Sequence, residues 1–214
     1  GDERLVISTI VSTPMVGEMA RALGVRYEEV LTGFKWIANR AMDRKRETGA
    51  RFLFGFEEAL GYSIGEVCRD KDGISAAAVF AEMAADAKAR GRDVIDELDA
   101  LYRRFGVYLS RQRSAQMEGA TGRERIARIL DTFRDRPPRT IGGLQVVRIR
   151  DYARRTIRDA DGRTIGTLDL PESNVLAFEL EGGTRVTARP SGTEPKIKYY
   201  FDLREPVADG EPVA

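Results

Sequence analysis

At Pro137 and Pro138 the spacing of apolar residues changes, and that change limits the chain to two kinds of fold joined in series. Upstream, short β-branched runs alternate with longer stretches whose apolar residues recur at helical spacing, as in the strand–helix units of an α/β domain. Downstream, Leu144 to Tyr152, Val175 to Leu180, Arg185 to Arg189 and Lys196 to Leu203 read as strands with a period of two. Asp161 with Gly162, and Gly182 with Gly183, read as hairpin turns between strands. The expectation is a mixed-sheet α/β domain over about 1–118, a smaller α+β domain over about 119–206, and a tail over 207–214.

Within the first domain, Leu5 to Val11 reads as a buried strand. Thr13 before Pro14 predicts a helix start that Gly24 would end. Val25 to Val30 returns as a strand, and Thr32 is expected to cap a helix through Trp36 and Ile37. Arg51 to Phe54 leads into a glycine-bounded loop from Gly55 to Gly61. Two helices follow, over Ile74–Ala89 and Asp93–Phe105, each closed by a glycine. The polar stretch from about Gln112 to Thr121 places the domain boundary, and Thr121 opens an amphipathic helix to Phe133. Phe34, Trp36 and Phe54 are read as core.

With 214 residues and a 42% apolar share, each domain can build its own core. Lys plus Arg number 35 and Asp plus Glu 34, a net charge of +1, so no global field favours nucleic acid or an anionic membrane. Any anion must be met locally. The chain has no histidine and a single cysteine, Cys68, which excludes imidazole bases, histidine metal ligands and an internal disulfide. Acid or base work falls to carboxylates or lysines, and Cys68 is expected to be buried and inert. The apolar run at Leu5 is too short for a signal or spanning segment, so a reducing cytoplasm is the expected compartment.

Arg189, Pro190, Ser191, Gly192, Thr193, Glu194, Pro195, Lys196, Ile197 and Lys198 lie between two predicted strands. The segment combines a guanidinium fork, two hydroxyls and a glycine that lets the backbone approach an anion, which is what a phosphate requires. Lys196 or Lys198 could add charge. The same residue types also make ordinary polar turns, so the local pattern leaves both readings open. Upstream, Glu57 and Glu58 stand in the glycine-bounded loop and could accept hydrogen bonds from vicinal hydroxyls. As neighbours at a strand end they point in opposite directions, so one of them at most faces a ligand.

Taken in order, four segments resemble those of the α-D-phosphohexomutase family, the phosphoglucomutases and phosphomannomutases. They are Thr32-Gly33-Phe34-Lys35, Phe56-Glu57-Glu58-Ala59, Lys71-Asp72-Gly73 and Arg189-Pro190-Ser191-Gly192-Thr193. The resemblance implies the third and fourth domains of that fold, an α/β domain followed by a TBP-like α+β domain. It assigns the substrate phosphate to Arg189, Ser191, Gly192 and Thr193, assisted by Lys198. Sugar contacts fall to Thr32, Gly33, Lys35 and Glu57, and electrostatic or acid assistance at the reacting phosphate to Lys71. Ala59 stands where the family's loop has a serine, which resembles the branch of phosphopentomutases and glucose-bisphosphate synthases as well as some bacterial phosphoglucomutases, and leaves hexose preference open.

The family's phosphoserine loop and aspartate-rich magnesium loop do not occur in the sequence. The resemblance therefore implies a C-terminal part of a mutase that interconverts sugar 1- and 6-phosphates through a bisphosphate. Mg2+ and an activating sugar bisphosphate would belong to the full-length enzyme, with the N-terminal domains as partners and this part inactive alone. A non-catalytic sugar-phosphate-binding module is the alternative of another class.

Overall fold

The computed structural model describes residues 3–119, 121–192 and 194–208. The chain packs as two compact units, one formed by residues up to Tyr108 together with the segment from Glu205, the other by Leu109–Arg204.

The first unit contains β1 (Arg4–Thr9), α1 (Met15–Ala22), β2 (Arg26–Val30), α2 (Phe34–Thr48), β3 (Arg51–Glu57), β4 (Gly61–Ile64), α3 (Gly73–Ala89) and α4 (Val94–Phe105). Its sheet runs β2-β1-β3-β4, with β1 parallel to β2 and β3 and β4 antiparallel to β3. Leu5 and Ile7 of β1 and Phe52 of β3 pack against Phe34 and Ile37 of α2. Burial of each such side chain contributes roughly 1.5–3 kcal/mol.

The expected loop over 55–61 is mostly strand. Gly55 pairs with Ile7 on one side and Ser63 on the other, and Glu57 pairs with Gly61, which shortens the connection to Glu58, Ala59 and Leu60. Helix α1 begins at Met15, with Pro14 as its cap residue, and the Thr13 hydroxyl accepts weakly from the Met15 amide at 3.4 Å. Asp72 caps α3 by accepting from the Ser75 amide at 3.0 Å, and Asp93 and Asp96 form a reciprocal capping box on α4. The apolar residues of α3 are largely exposed, Ile74 at 88% and Phe80 at 56%. No helix among the described residues is long and apolar enough to cross a membrane.

The second unit contains most of β5 (Val107–Gln116), then α5 (Gly122–Asp135), β6 (Thr140–Ile141), β7 (Leu144–Asp151), β8 (Thr156–Asp159), β9 (Thr164–Thr167), β10 (Leu176–Leu180), β11 (Arg185–Pro190) and β12 (Lys196–Glu205). Its strands run β5-β12-β11-β10-β7-β8-β9, with β6 beside β7. Ile126 and Leu130 of α5 bury against Ala188 of β11 and Ile197 of β12, and Phe133 meets Phe178 edge-on at 6.1 Å. Arg134 of α5 is also buried, reaching Asp151 at 3.3 Å and Asn174, so the helix is tied to the sheet by a charged pair as well as by apolar contact.

The stretch expected to be a boundary is strand β5 at one end of this order, and the packing divides the chain after Tyr108 rather than after residue 118. Its residues are mostly exposed, so its strand conformation comes from the ladder with β12 and not from an apolar face.

Candidate functional site

The register of β11 and β12 sets the geometry of the candidate phosphate loop. Arg189 lies directly opposite Lys198, and Pro190 opposite Ile197. Directly opposed residues of an antiparallel pair have Cβ atoms about 5 Å apart, so two cations share one face of the sheet. Ala188 and Ile197, one position away from each, point to the α5 side, so Arg189 and Lys198 project from the other face. Among the described residues neither cationic side chain has an ion-pair or hydrogen-bond partner. Both are half-buried. Lys196, by contrast, is committed to Glu194.

The connection between the strands is held by its own hydrogen bonds. The Ser191 amide donates to the Lys196 carbonyl at 2.8 Å, and the Glu194 amide donates to the Ser191 hydroxyl at 3.3 Å. The Met117 amide, just before α5, donates to the Pro195 carbonyl at 2.8 Å. Gly192 is exposed, with open space where a side chain would start. Thr193 lies outside the described residues. The described part of the connection is thus fastened at Ser191, Glu194 and Pro195 beside two opposed cations, residue types whose donors suit an oxyanion.

In the first unit three of the expected segments converge. The Gly33 amide donates to the Glu57 carboxylate. Gly33 has a φ of 117°, a conformation that only glycine adopts without strain, and it is the cap residue of α2. Its hydrogen bond to Glu57 replaces the capping expected from the Thr32 hydroxyl, which makes no cap bond. The carboxylate sits at the helix N-terminus, where the dipole favours negative charge. Lys71 Nζ lies 5.0 Å from the centre of the Phe34 ring, in the first turn of the same helix. Gly61 permits this approach, since a β-carbon there would lie 2.5 Å from the Phe34 ring and 3.1 Å from Lys71 Cγ.

Lys71 also donates to Asp70 Oδ1 at 2.8 Å. That hydrogen bond, with the charges of Asp70 and Glu57, raises the lysine above its ordinary value, while Asp70 is lowered by the same partner. A cation in this position is suited to stabilise developing negative charge. Lys35 is exposed, with Nζ 5.2 Å from the Trp36 ring centre, and Thr32 is half-buried. Phe34 is buried, whereas Trp36 and Phe54 are only partly so.

Residues 1–105 match the family described as Phosphoglucomutase/phosphomannomutase, alpha/beta/alpha domain III. Over 96% of its length the chain is 37% identical to a phosphoglucomutase of Staphylococcus aureus. Over 95% of its length it is 38% identical to a Haemophilus influenzae protein named "Probable phosphomannomutase". The chain belongs to the phosphoglucomutase/phosphomannomutase family. It spans 37% of the length of each of these two relatives. Its fold is similar to that of pp63/parafusin, a Paramecium phosphoglucomutase solved in an open form, with a TM-score of 0.67 at 19% identity over 97% of this chain and 34% of that one.

Two features of this family member were not legible in the sequence. Glu58, the neighbour of Glu57, accepts from the Ser12 hydroxyl at 3.0 Å and the Thr9 hydroxyl at 3.4 Å, both fully buried. Those partners lie 46 and 49 residues away, and no local pattern connects them. Cys68, expected to be buried, is exposed in the irregular connection between β4 and α3. Among the described residues no group of three carboxylate or thiol side chains converges to hold a metal ion.

Proposed function

We propose that this chain supplies sugar and phosphate recognition in a phosphosugar mutase that interconverts sugar 1- and 6-phosphates through a bisphosphate. The observation that carries the reading is the Arg189–Lys198 rung, two cations held opposite one another with no carboxylate partner among the described residues. Opposed like charges destabilise a strand pair, and an oxyanion between them removes the conflict. Arg189 would bind two oxygens of the phosphate that is not transferred, Lys198 would add charge, and Ser191 and Gly192 would supply a hydroxyl and an approachable backbone.

In the first unit one oxygen of Glu57 is engaged by Gly33, and the carboxylate retains acceptor capacity for sugar hydroxyls. Thr32, Gly33 and Lys35 would frame that contact. Lys71 would give electrostatic or acid assistance at the reacting phosphoryl group. Ala59 supplies no hydroxyl, which keeps a second reading in which the enzyme is a phosphopentomutase or a sugar-bisphosphate synthase.

Isothermal titration of the chain with glucose 1-phosphate, glucose 6-phosphate and ribose 5-phosphate tests both. We expect millimolar binding, on the order of −4 kcal/mol, that Arg189→Ala abolishes. Equal binding by wild type and Arg189→Ala would reduce the loop to a turn, and the ranking of the three sugars separates hexose from pentose preference.

A further inference from the structure

The adjacent carboxylates at the β3–β4 connection are fastened to different elements. Glu57 accepts from the Gly33 amide at the start of α2, and Glu58 reaches across to the end of β1. There the Ser12 hydroxyl donates to Glu58 Oε2 at 3.0 Å, and the Glu58 amide donates back to the Ser12 hydroxyl oxygen at 3.3 Å. Thr9 and Ser12 hydroxyls lie 2.8 Å apart, and both residues are fully buried. One proton arrangement satisfies the three shorter contacts, Thr9 O–H to Ser12, Ser12 O–H to the carboxylate and the Glu58 amide to Ser12, so that Thr9 supports the carboxylate through Ser12 and its own 3.4 Å approach to Glu58 is secondary. The connection needs such an anchor. Leu60 sits at a φ of 61°, unfavourable for a side-chain-bearing residue, and is 81% exposed, so its own packing does not hold the turn.

We propose that Glu58 is a positioning residue: by clamping the turn to Ser12 and Thr9 it holds the Glu57 carboxylate at the start of α2, in place to receive a sugar hydroxyl. The proposal rests on the reading of Glu57 as the hydroxyl acceptor. A strand end carrying two adjacent carboxylates sends them to opposite faces of the sheet. Here one face is used to fix the connection, so that the other is available for a ligand.

The test uses this chain and reads two quantities. The first is the Gly33 amide resonance in an 1H–15N spectrum without ligand, which reports whether Glu57 is in place. The second is affinity for glucose 1-phosphate set against affinity for inorganic phosphate. Ser12→Ala and Glu58→Ala should each shift the Gly33 resonance and weaken glucose 1-phosphate binding about tenfold, the worth of one hydrogen bond to a charged group, with inorganic phosphate unaffected. The double variant should fall no further than either single one, because both remove the same clamp. Glu58→Gln keeps an acceptor for Ser12 and should retain most of the affinity, which a general loss of folding would not allow. If both alanine variants leave the Gly33 resonance and the sugar phosphate affinity unchanged while Glu57→Ala weakens binding, the clamp is wrong and the Glu57 reading stands. If Glu57→Ala itself binds as wild type does, the acceptor reading falls and the proposal falls with it.

Discussion

Strands β11 and β12 carry two charged rungs four residues apart on β11, and the rungs are built in opposite ways. At one, Arg185 faces Asp202; the pair is 3.2 Å apart, both side chains are nearly inaccessible, and Ser110 of β5 donates to the same carboxylate at 2.7 Å. At the other, Arg189 faces Lys198, both are half-buried, and neither side chain has a partner among the described residues. One ladder thus holds a neutralised charge pair and an unneutralised one under the same backbone geometry. The closed rung joins three strands and serves the fold. The open rung adds nothing favourable to the fold, so what keeps it is best sought in a ligand.

The largest effect expected from breaking this contrast is at the closed rung. Asp202→Ala leaves the Arg185 guanidinium buried beside an empty position, and loss of one partner from a buried pair costs about 3–5 kcal/mol. Thermal or urea unfolding of the variant reads this directly. A fall of less than 1 kcal/mol would show that water reaches Arg185 and that the two rungs differ less than their burial indicates. Arg189→Leu should behave in the reverse manner. It removes one of two opposed cations, so unfolding stability should stay within about 0.5 kcal/mol of wild type or rise, while phosphate affinity falls at least tenfold. A variant that lost both stability and binding would mean that Arg189 is part of the fold and would remove the distinction.

How much of this was legible beforehand follows from the range of the interactions. The strands around the candidate phosphate loop show their period within ten residues, and the glycine turns at 162 and 182 announce the hairpins, whereas Arg189 and Lys198 became candidates through the family resemblance and not from the local pattern alone. What local sequence does not carry is which cations are already paired. Lys196 and Lys198 look equivalent in the chain, yet only Lys196 is held by Glu194. Strand β5 was hidden for a related reason: its residues are polar, and only the ladder with β12, about 80 residues downstream, makes it a strand. In the first unit the Thr32-Gly33 segment read as a side-chain cap, whereas the cap is Glu57, 24 residues on, delivered by the sheet. Segment identity was local; partnership was not.

The finest test converts the open rung into a closed one. Lys198→Glu places a carboxylate opposite Arg189 in the register that Arg185 and Asp202 already use. Opposed unlike charges in place of like ones should stabilise the strand pair by about 0.2–1 kcal/mol, the ordinary range for a cross-strand pair. Because the position is half-buried, the gain should shrink as salt rises and the Debye length shortens toward 3 Å at 1 M. Phosphate binding should be lost, since the new carboxylate both occupies Arg189 and repels the anion. The sharpening lies in the sign: the substitution improves folding and removes binding at one position, which neither a plain turn nor a structural lysine would do. If Lys198→Glu destabilises the chain instead, Lys198 has a structural partner of its own, and the case for an anion held between the two cations loses its footing.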